Sequence, residues 1–249
     1  MLSKNIDPMR ALTLAKKAIG RKVSNHKLID QDGNPFNLRD LSGKPLVVSF
    51  IYTSCPILCP TITAHLAEAV KKSGKDFPER FRVLTIGFDS EGDTPQRMRE
   101  YGKGFTEDFK GWRFATGDKE TIKKLAEEFG FSFQKRDNEF IHLNMTTILD
   151  EEGRIYSHIF GLDFKPEEIL LPLEGLLKRE KGLGLGQIVD KLKLFCSTYD
   201  PSAQSYRFGF GRALAVAGQL VLLVTVSLLV WGKAFYSFLL KRPFRKRRS

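Results

Sequence analysis

The sequence predicts an α/β domain followed by one membrane-spanning helix, and three observations carry this prediction. Short apolar stretches typical of strands alternate with segments of helical periodicity over residues 23–179. Two cysteines, Cys55 and Cys59, stand where a predicted strand meets a predicted helix. A run of twenty residues without charge begins at Ala213 and ends at Gly232. The 249 residues suffice for one well-filled domain with further segments, so a second domain is not required.

The predicted domain begins with a hairpin, a buried strand and a helix. Residues 28–36 contain two short extended pieces around an Asp-Gly turn, which is a hairpin signature. Residues 46–52 are mostly β-branched, apolar or aromatic, as expected of a fully buried central strand. Apolar residues then recur at helical spacing after Pro60, until Gly74 ends this predicted helix.

The rest of the predicted domain continues the alternation of strands and helices. Thr94 is the predicted N-cap of a helix, because Pro95 directly after it suits the first helical position. The remaining elements are predicted to be a strand at 81–88, the helix from Thr94 to about Gly102, a strand at 112–114, a helix at 118–130, an extended piece at 131–134, a hairpin of 145–150 with 154–160, and a helix at 166–179. This order is that of a thioredoxin-like sandwich, in which the cysteine pair follows the first central strand.

Composition divides the chain into five predicted segments. Residues 1–22 are a polar lead-in, either a helix or a flexible arm, and residues 23–179 are the thioredoxin-like domain. Residues 180–212 are a linker, residues 213–232 the transmembrane helix and residues 233–249 a basic cytoplasmic tail.

The positive charge of the chain is concentrated in that tail. Of the formal net charge of +11, seven cations and no acid lie in residues 233–249. The rest of the chain is only mildly basic, with charges of both signs that are typical of a solvated surface. The sequence therefore predicts no nucleic-acid partner.

The uncharged run of residues 213–232 predicts a membrane anchor. At about 1.5 Å per residue it spans roughly the 30 Å of a hydrocarbon core. Seven cations follow it, against Arg207 and Arg212 before it, which places the C-terminus in the cytoplasm and the domain on the extracytoplasmic, periplasmic side of the cell membrane. Residues 1–20 lack the apolar stretch of an export signal. Either a signal lies upstream, which the charge asymmetry favours, or the protein is tail-anchored with a cytosolic domain.

The cysteine pair is placed for redox chemistry or for binding a soft metal. Pro56 and Pro60 restrict the backbone, and a helix that starts at Pro60 puts both sulfurs at a helix N-terminus, where thiolate is favoured. The three-residue spacer allows the sulfurs to hold an ion or to close into a disulfide. Two thiolates suit Cu(I), and an added imidazole suits copper in either oxidation state. The alternative is that Cys55 and Cys59 are merely buried.

His142 is the predicted source of that imidazole. It lies in the loop 138–144, just ahead of the strand at 145–149, and in a thioredoxin-like fold this loop passes beside the cysteine pair. The other histidines lie in the lead-in to the domain, in the helix after the pair and in a hairpin strand, and they are His26, His65 and His158.

Several motifs, in order and at family-like spacing over residues 19–178, resemble the Sco/SenC family of copper-delivery proteins. They are Gly43-Lys44-Pro45, Tyr52-Thr53-Ser54-Cys55-Pro56 through Cys59-Pro60, Asp93-Thr94-Pro95, Phe140-Ile141-His142-Leu143 and the hairpin at Gly153. Cys196 with Tyr199-Asp200-Pro201 is similar to a bacterial subgroup that carries its membrane anchor at the C-terminus.

This resemblance implies a copper-binding protein with a thioredoxin fold. It implies that Cys55, Cys59 and His142 bind copper, as Cu(I) or Cu(II), and that the protein helps to assemble the binuclear copper centre of cytochrome c oxidase. The implied partners are the copper-bearing oxidase subunit and a thioredoxin-like reductant.

The chain departs from the family pattern at two places near these ligands. Members often carry an acid between the cysteines and an Asp before the histidine, whereas this chain has Ile57-Leu58 and Ile141. The loss of negative charge bears on metal affinity and on partner docking. Asp93 has two interpretations, as a residue that orients a loop near the pair or as a helix-capping acid.

A thiol-disulfide reductase with Cys55 and Cys59 as catalytic residues is the main alternative function. Reductases of this fold carry a cis-proline before the strand that here begins near Met145, but no proline lies between Pro95 and Pro166. A peroxiredoxin-type peroxidase would need Pro and Thr at positions 48 and 52, which here are valine and tyrosine. Cys196, the odd cysteine, is left as a free thiol or an intermolecular bridge.

Overall fold

A computed structural model of the chain describes residues 6–179 apart from 76, 108 and 138, together with residues 197–200 and 205–208. The chain divides into two compact units, Met1–Gln187 and Ile188–Ser249. The predicted span 213–232, the basic tail, most of the linker and Cys196 lie outside the described residues. Among the helices that are described, none combines the length and the apolar character needed to cross a bilayer.

The first unit contains six helices and nine strands within its described residues. The helices are α1 (Pro8–Ala18), α2 (Leu58–Ser73), α3 (Phe77–Arg80), α4 (Pro95–Lys103), α5 (Lys119–Phe129) and α6 (Pro166–Arg179), and a short 3-10 helix covers Leu38–Leu41. The strands are β1 (Lys27–Asp30), β2 (Pro35–Asn37), β3 (Leu46–Ile51), β4 (Arg82–Gly87), β5 (Trp112–Thr116), β6 (Phe133–Arg136), β7 (Glu139–His142), β8 (Met145–Leu149) and β9 (Ile155–Phe160). In the second unit, β10 (Ser197–Asp200) and β11 (Ser205–Phe208) pair with each other.

Seven strands form one mixed sheet in the order β2-β1-β5-β4-β3-β8-β9. Strands β3, β4 and β5 are parallel, whereas β8 runs antiparallel to β3 with Ser49 opposite Thr146. The carboxyl end of β3 and the amino end of β8 therefore meet at the same edge of the sheet. This topology brings the loop after β3, which carries the cysteines, next to the segment before β8, which carries His142.

Helices cover both faces of the sheet, and alternate residues of β3 identify the two faces. Phe50 packs on Phe129 of α5 and stacks on Phe131 at 4.5 Å between ring centroids. On the opposite face, the Ser49 and Thr85 hydroxyls lie 3.0 Å apart, and Trp112 Nε1 donates to Thr85 Oγ1 at 3.0 Å. All six residues of β3 are buried, because this strand lies in the middle of the sheet.

Helix α1 packs on the domain, although the sequence predicts that residues 1–22 are a polar lead-in. One side of the helix buries Ala11, Leu12, Ala15 and Ala18. The turn after α5 comes close to α1 at Gly130, where an added Cβ would lie 2.6 Å from the carbonyl oxygen of Leu14. The lead-in is therefore a helix, and its small alanines allow the close approach.

The predicted thioredoxin-like sandwich is confirmed, and so are most of its elements. The Asp-Gly hairpin, the N-cap at Thr94 and the final helix from Pro166 occur as predicted. One helix start was predicted wrongly, because α2 begins at Leu58 and not at Pro60. Pro60 is still tolerated, since the first N–H groups of a helix have no partner within it.

Candidate copper-binding site

The two cysteines lie at the carboxyl end of β3, in the loop that leads into α2. The loop opens with a turn in which the Cys55 N–H donates to the carbonyl oxygen of Tyr52 at 3.1 Å. Because α2 begins at Leu58, the Cys59 N–H lies in the first helical turn and donates to Cys55 Sγ at 3.4 Å. Cys55 is 5% exposed, Cys59 is fully buried, and both are free thiols. The fold therefore brings together the two predicted sulfur ligands.

Cys55 is surrounded by hydrogen-bond donors. Its sulfur accepts from the Cys59 N–H at 3.4 Å, and the Cys59 thiol, the Ile57 N–H and the Tyr52 hydroxyl lie close enough to lower its pKa. These donors outweigh the cost of burial and hold the pKa of Cys55 at about 4, well below that of an ordinary thiol. Cys55 is therefore a thiolate at neutral pH, as the helix N-terminus predicts.

The pKa of Cys59 shifts in the opposite direction to that of Cys55. The prediction that both sulfurs favour the thiolate form is therefore wrong for Cys59. Its thiol donates to Cys55, and it is buried, so the pKa of Cys59 is raised far above its ordinary value. The pair thus holds one negative charge and one proton. A charge on one sulfur opposes a second charge on its neighbour.

His142 lies in a strand and not in the predicted loop 138–144. It is the last residue of β7, which pairs with β6 so that His142 faces Phe133. The tight turn between the strands uses Asp137, whose φ of 54° is one that Asp tolerates better than most residues. The polar residues at the turn resemble a loop in sequence, but antiparallel pairing with residues 133–136 makes a hairpin.

The His142 ring is enclosed by aromatic side chains. Its centroid lies 5.4 Å from that of Phe88 and 5.9 Å from those of Tyr52 and Phe131. This burial lowers the pKa of His142, although the charge on Cys55 acts in the other direction. Its Nε2 is buried without a hydrogen-bond partner among the described residues. His142 is therefore a neutral imidazole with an unused polar atom, which is the form that binds metal.

Asp93 fixes the cysteine loop and does not cap a helix. Its Oδ1 accepts from the Thr53 N–H at 2.7 Å and from the Thr53 hydroxyl at 2.8 Å, and its Oδ2 accepts from the Asp89 N–H at 2.9 Å. The cap of α4 is Thr94, so the capping interpretation of Asp93 is wrong. Gly87 makes room for this carboxylate, since a Cβ there would lie 2.6 Å from Asp93 Cβ. Burial raises the pKa of Asp93 to about 6.

Tyr52 is a residue of the site that the sequence interpretation overlooked. It is 4% exposed, directly follows β3 and packs on Phe140 at 5.1 Å between ring centroids, and its hydroxyl lies close enough to the Cys55 side chain to act on the pKa of that thiol. Its position three residues before Cys55, at the end of the buried strand, was an available signal. Burial, together with donation to Cys55, raises the pKa of Tyr52 to about 12.

The other three histidines lie among different partners. His26 is 3.3 Å from Glu128, His65 on α2 lies 4.0 Å from both Glu68 and Asp163, and His158 Nδ1 is 2.8 Å from Thr147 Oγ1. Within the described part of the chain, no three His, Cys, Asp or Glu side chains are grouped closely enough to hold a metal ion. His142 packs on Tyr52 of the cysteine loop, but the described residues do not group it with both sulfurs as a formed metal site.

The residues between the cysteines and the residue before His142 are apolar and at least partly exposed. Ile57 is 68% exposed and Leu58 is 38% exposed, directly between the two cysteines. Ile141 is partly exposed on β7. The surface beside the cysteines is therefore apolar.

The donor atoms suit a copper ion. Two sulfurs, one of them already a thiolate, and a neutral imidazole with an unpartnered Nε2 are soft and borderline ligands. Such a set favours Cu(I), and the imidazole adds affinity for Cu(II). Asn144, the residue just before β8, also has a buried Oδ1 without a partner among the described residues.

Comparisons with known proteins agree with this fold. The SCO1/SenC family model matches residues 15–178. The SCO2-like protein of Rickettsia felis is 32% identical over 156 residues, which cover 60% of this chain and 74% of that protein. The SCO1/SenC family lipoprotein from Bacillus anthracis superposes with a TM-score of 0.59 at 27% identity, over 64% of this chain and 96% of that one. Bradyrhizobium japonicum ScoI with copper bound gives a TM-score of 0.55 at 28% identity, over 62% and 99%.

Proposed function

The chain belongs to the SCO1/SenC family, and on that basis we propose that it is a copper metallochaperone which binds copper through Cys55, Cys59 and His142. The observation that carries the proposal is that two neighbouring sulfurs lie in the loop after β3, and that a partly buried His142 packs on Tyr52 of that loop with its Nε2 buried and without a partner among the described residues. The copper-bound relative from Bradyrhizobium japonicum supports the choice of metal.

The two cysteines have different parts in metal loading. Cys55 is the first ligand, because it is already ionised and slightly exposed. Cys59 becomes a ligand only when it releases the proton that it donates to Cys55, so loading releases a proton. The Nδ1 of His142 lies 3.4 Å from the carbonyl oxygen of Leu143, to which it can donate a hydrogen bond, and in that tautomer Nε2 binds a metal without losing a proton. Exchange of these ligands for those of an acceptor then releases the ion.

The acceptor in this proposal is the copper-bearing subunit of cytochrome c oxidase, at its binuclear copper centre. The pair must be a dithiol before it can load copper, so in an oxidising compartment a thioredoxin-like partner would supply two electrons and two protons to a Cys55–Cys59 disulfide. The predicted anchor at residues 213–232 would hold the domain on the extracytoplasmic side of the cell membrane, near a membrane-bound acceptor.

A thiol-disulfide reductase that keeps the oxidase cysteines reduced is the second candidate. One specific observation favours it, namely that Cys55 is a thiolate nucleophile with the thiol of Cys59 directly beside it to resolve a mixed disulfide. The absence of proline before β8 counts against it, since Asn144 occupies that position.

The deciding experiment compares wild type with His142→Ala for copper stoichiometry, for the sulfur-to-Cu(II) charge-transfer band and for reduction of a test disulfide. The chaperone proposal expects one copper and an intense band in wild type, and a weaker, altered band in the variant. His65→Ala is the matched control, because it removes an imidazole on α2 outside the proposed ligand set. If His142→Ala binds as much copper as wild type, and both proteins reduce the test disulfide rapidly, the reductase proposal replaces the chaperone proposal.

A further inference from the structure

A group of cations surrounds helix α3, at one edge of the main sheet. Residues 71–82 lead from the last turn of α2 through α3 into β4, and they contain five cations and two acids. Lys44 joins this group, because its ammonium donates to the carbonyl oxygen of Pro78 at 3.1 Å. Lys110 joins it as well, since it precedes Gly111, where an added Cβ would lie 2.8 Å from Pro78 Cβ. We call these seven residues the α3 cluster, and they are Lys44, Lys71, Lys72, Lys75, Arg80, Arg82 and Lys110.

The acids beside the α3 cluster leave it with an excess of positive charge. Glu79 accepts from Lys44 at 2.9 Å, and Glu167 of α6 pairs with Lys72. Three other cations of the cluster are at least partly exposed and have no ion-pair partner among the residues that the structure describes, and they are Lys71, Lys75 and Arg80. The cluster therefore presents a net positive charge to the solvent, which attracts anions.

An aromatic side chain lies among these cations. Phe77 is the first residue of α3 and is partly exposed, while its ring packs on the buried ring of Phe81 at 5.2 Å between centroids. Lysines around an exposed aromatic ring are typical of a surface that lies on a bilayer, where ammonium groups meet anionic headgroups and the ring lies at the headgroup level. An acidic protein would match the charge of the cluster but not the ring, so the combination favours a lipid surface.

The α3 cluster and the cysteine loop lie at opposite edges of the sheet. Arg82 is the first residue of β4 and pairs with Leu46, the first residue of β3, whereas the cysteine loop follows the last residue of β3. At about 3.3 Å per residue, the six residues of β3 separate the two edges by roughly 20 Å. A surface that binds the cluster therefore leaves the cysteines accessible.

We propose that the α3 cluster docks on the anionic headgroups of a phospholipid bilayer. The anchor proposed at residues 213–232 would bring the domain to a bilayer, and the docking would orient it with the cysteine loop pointing away from the lipid. The inference shares that anchor with the proposed function, but it uses no property of copper binding.

The test measures how fast each lysine of the full chain is acetylated, by mass spectrometry, in two kinds of vesicle. One kind contains phosphatidylcholine alone, and the other contains equal parts of phosphatidylcholine and phosphatidylglycerol. The rate at each lysine is needed because the basic tail at residues 233–249 attracts the same lipid, so that binding of the whole chain is no measure of docking by the domain.

We expect the lysines of α2 in the cluster, Lys71 and Lys72, to react about fivefold or more slowly in the anionic vesicles, the size expected for cations held at an anionic surface. About 1 M salt should remove this protection, because it screens charges beyond about 3 Å. The internal reference is a set of exposed lysines in the first two turns of α5, which follow the carboxyl end of β5 at the cysteine edge, and they are Lys119, Lys123 and Lys124. Their rates should be the same in both kinds of vesicle.

Two triple variants with the same loss of charge complete the test. The first changes three cations of the cluster, and it is Lys71→Gln with Lys75→Gln and Arg80→Gln. We expect Lys72 to lose most of its protection in this variant. The second changes the three reference lysines of α5 to glutamine, and we expect Lys72 to keep its protection there.

Two results would overturn the docking. If Lys72 reacts equally fast in both kinds of vesicle, the cluster does not bind the bilayer, and an acidic protein becomes the better match for its charge. If the α5 lysines are protected as strongly as Lys72, the vesicle hinders the whole domain and the cluster has no special part. Because no copper is measured, a wild type that binds no copper would contradict the proposed function and leave this inference standing.

Discussion

Cys55 in the loop and Cys59 in the first turn of α2 are close in sequence and yet differ in protonation, because their partners differ. Cys55 accepts hydrogen bonds from Cys59 and from backbone N–H groups, whereas Cys59 donates and is fully buried. A pair that shares one proton in this way has one thiolate, which is a nucleophile, and one protonated thiol. That arrangement suits stepwise entry of a metal as well as disulfide exchange, so protonation alone does not separate the two candidate functions.

Asp93→Asn tests whether this residue holds the cysteine loop. The amide nitrogen of Asn cannot accept a hydrogen bond, so at least one of the contacts with Thr53 or Asp89 is lost, and we expect a loss of about 1–3 kcal/mol in the free energy of unfolding. Because Cys55 is only 5% exposed, the loosened loop should also speed its alkylation by iodoacetamide at pH 7. Thr94→Ala is the control, because losing the cap of α4 costs about 1 kcal/mol and leaves the loop intact. Equal alkylation rates in Asp93→Asn and wild type would contradict the orienting role.

At the scale of elements, two segments that are far apart in sequence form the site. The cysteine loop follows the most deeply buried strand of the main sheet, and His142 ends a hairpin outside that sheet. An aromatic cluster around Phe88 joins them, with Phe131 at 5.3 Å and Phe140 at 5.3 Å from its centroid. The geometry of the candidate ligands therefore depends on packing between elements and not on the cysteine motif alone.

Gly130→Ala tests the packing of α1 on the turn after α5. Gly130 has φ of 68°, and an added Cβ would lie 2.7 Å from Ala15 Cα, which is backbone and cannot turn aside. Left-handed strain together with overpacking should destabilise the protein by about 2–4 kcal/mol in urea unfolding. Gly153→Ala is the matched control, since Gly153 also has positive φ but has nothing within 4 Å, so only strain of about 1–2 kcal/mol applies. Equal losses in the two variants would mean that α1 does not pack closely at this turn.

For the molecule as a whole, local signals in the sequence predicted more of the fold than of the site. Thr94-Pro95 and the Asp-Gly turn specify their elements through backbone preferences of a few neighbouring residues, and the structure has both. The spacing of the two cysteines is likewise a signal that a few neighbouring residues carry. The hairpin that carries His142 depends on strand pairing across a turn. The hydrogen bonds of Asp93 to Thr53 join residues 40 positions apart, and the ring contacts of Tyr52 with Phe88 and His142 join residues nearly as widely or even more widely separated. No periodicity in the sequence encodes such contacts.

The stability of the whole domain should depend on pH through His158. Burial lowers the pKa of His158 to about 4, so between about pH 6.5 and pH 4 the unfolded chain binds a proton that the folded protein does not. The contribution of His158 to the free energy of unfolding is therefore full above pH 6.5 and is lost as the pH falls toward 4, by up to about 3 kcal/mol. We expect the difference between wild type and His158→Gln in urea unfolding to change by that amount over this range. A difference that stays constant with pH would contradict a buried, neutral His158.

The most direct test of the central claim is to count the ligands of bound copper by X-ray absorption. In wild type loaded with Cu(I), we expect two sulfur scatterers and one nitrogen scatterer from imidazole. In His142→Ala the nitrogen scatterer should disappear while both sulfurs remain, and in His65→Ala the wild-type set should persist. An imidazole signal that survives in His142→Ala, or a wild-type site with fewer than two sulfurs, would contradict copper binding by Cys55, Cys59 and His142.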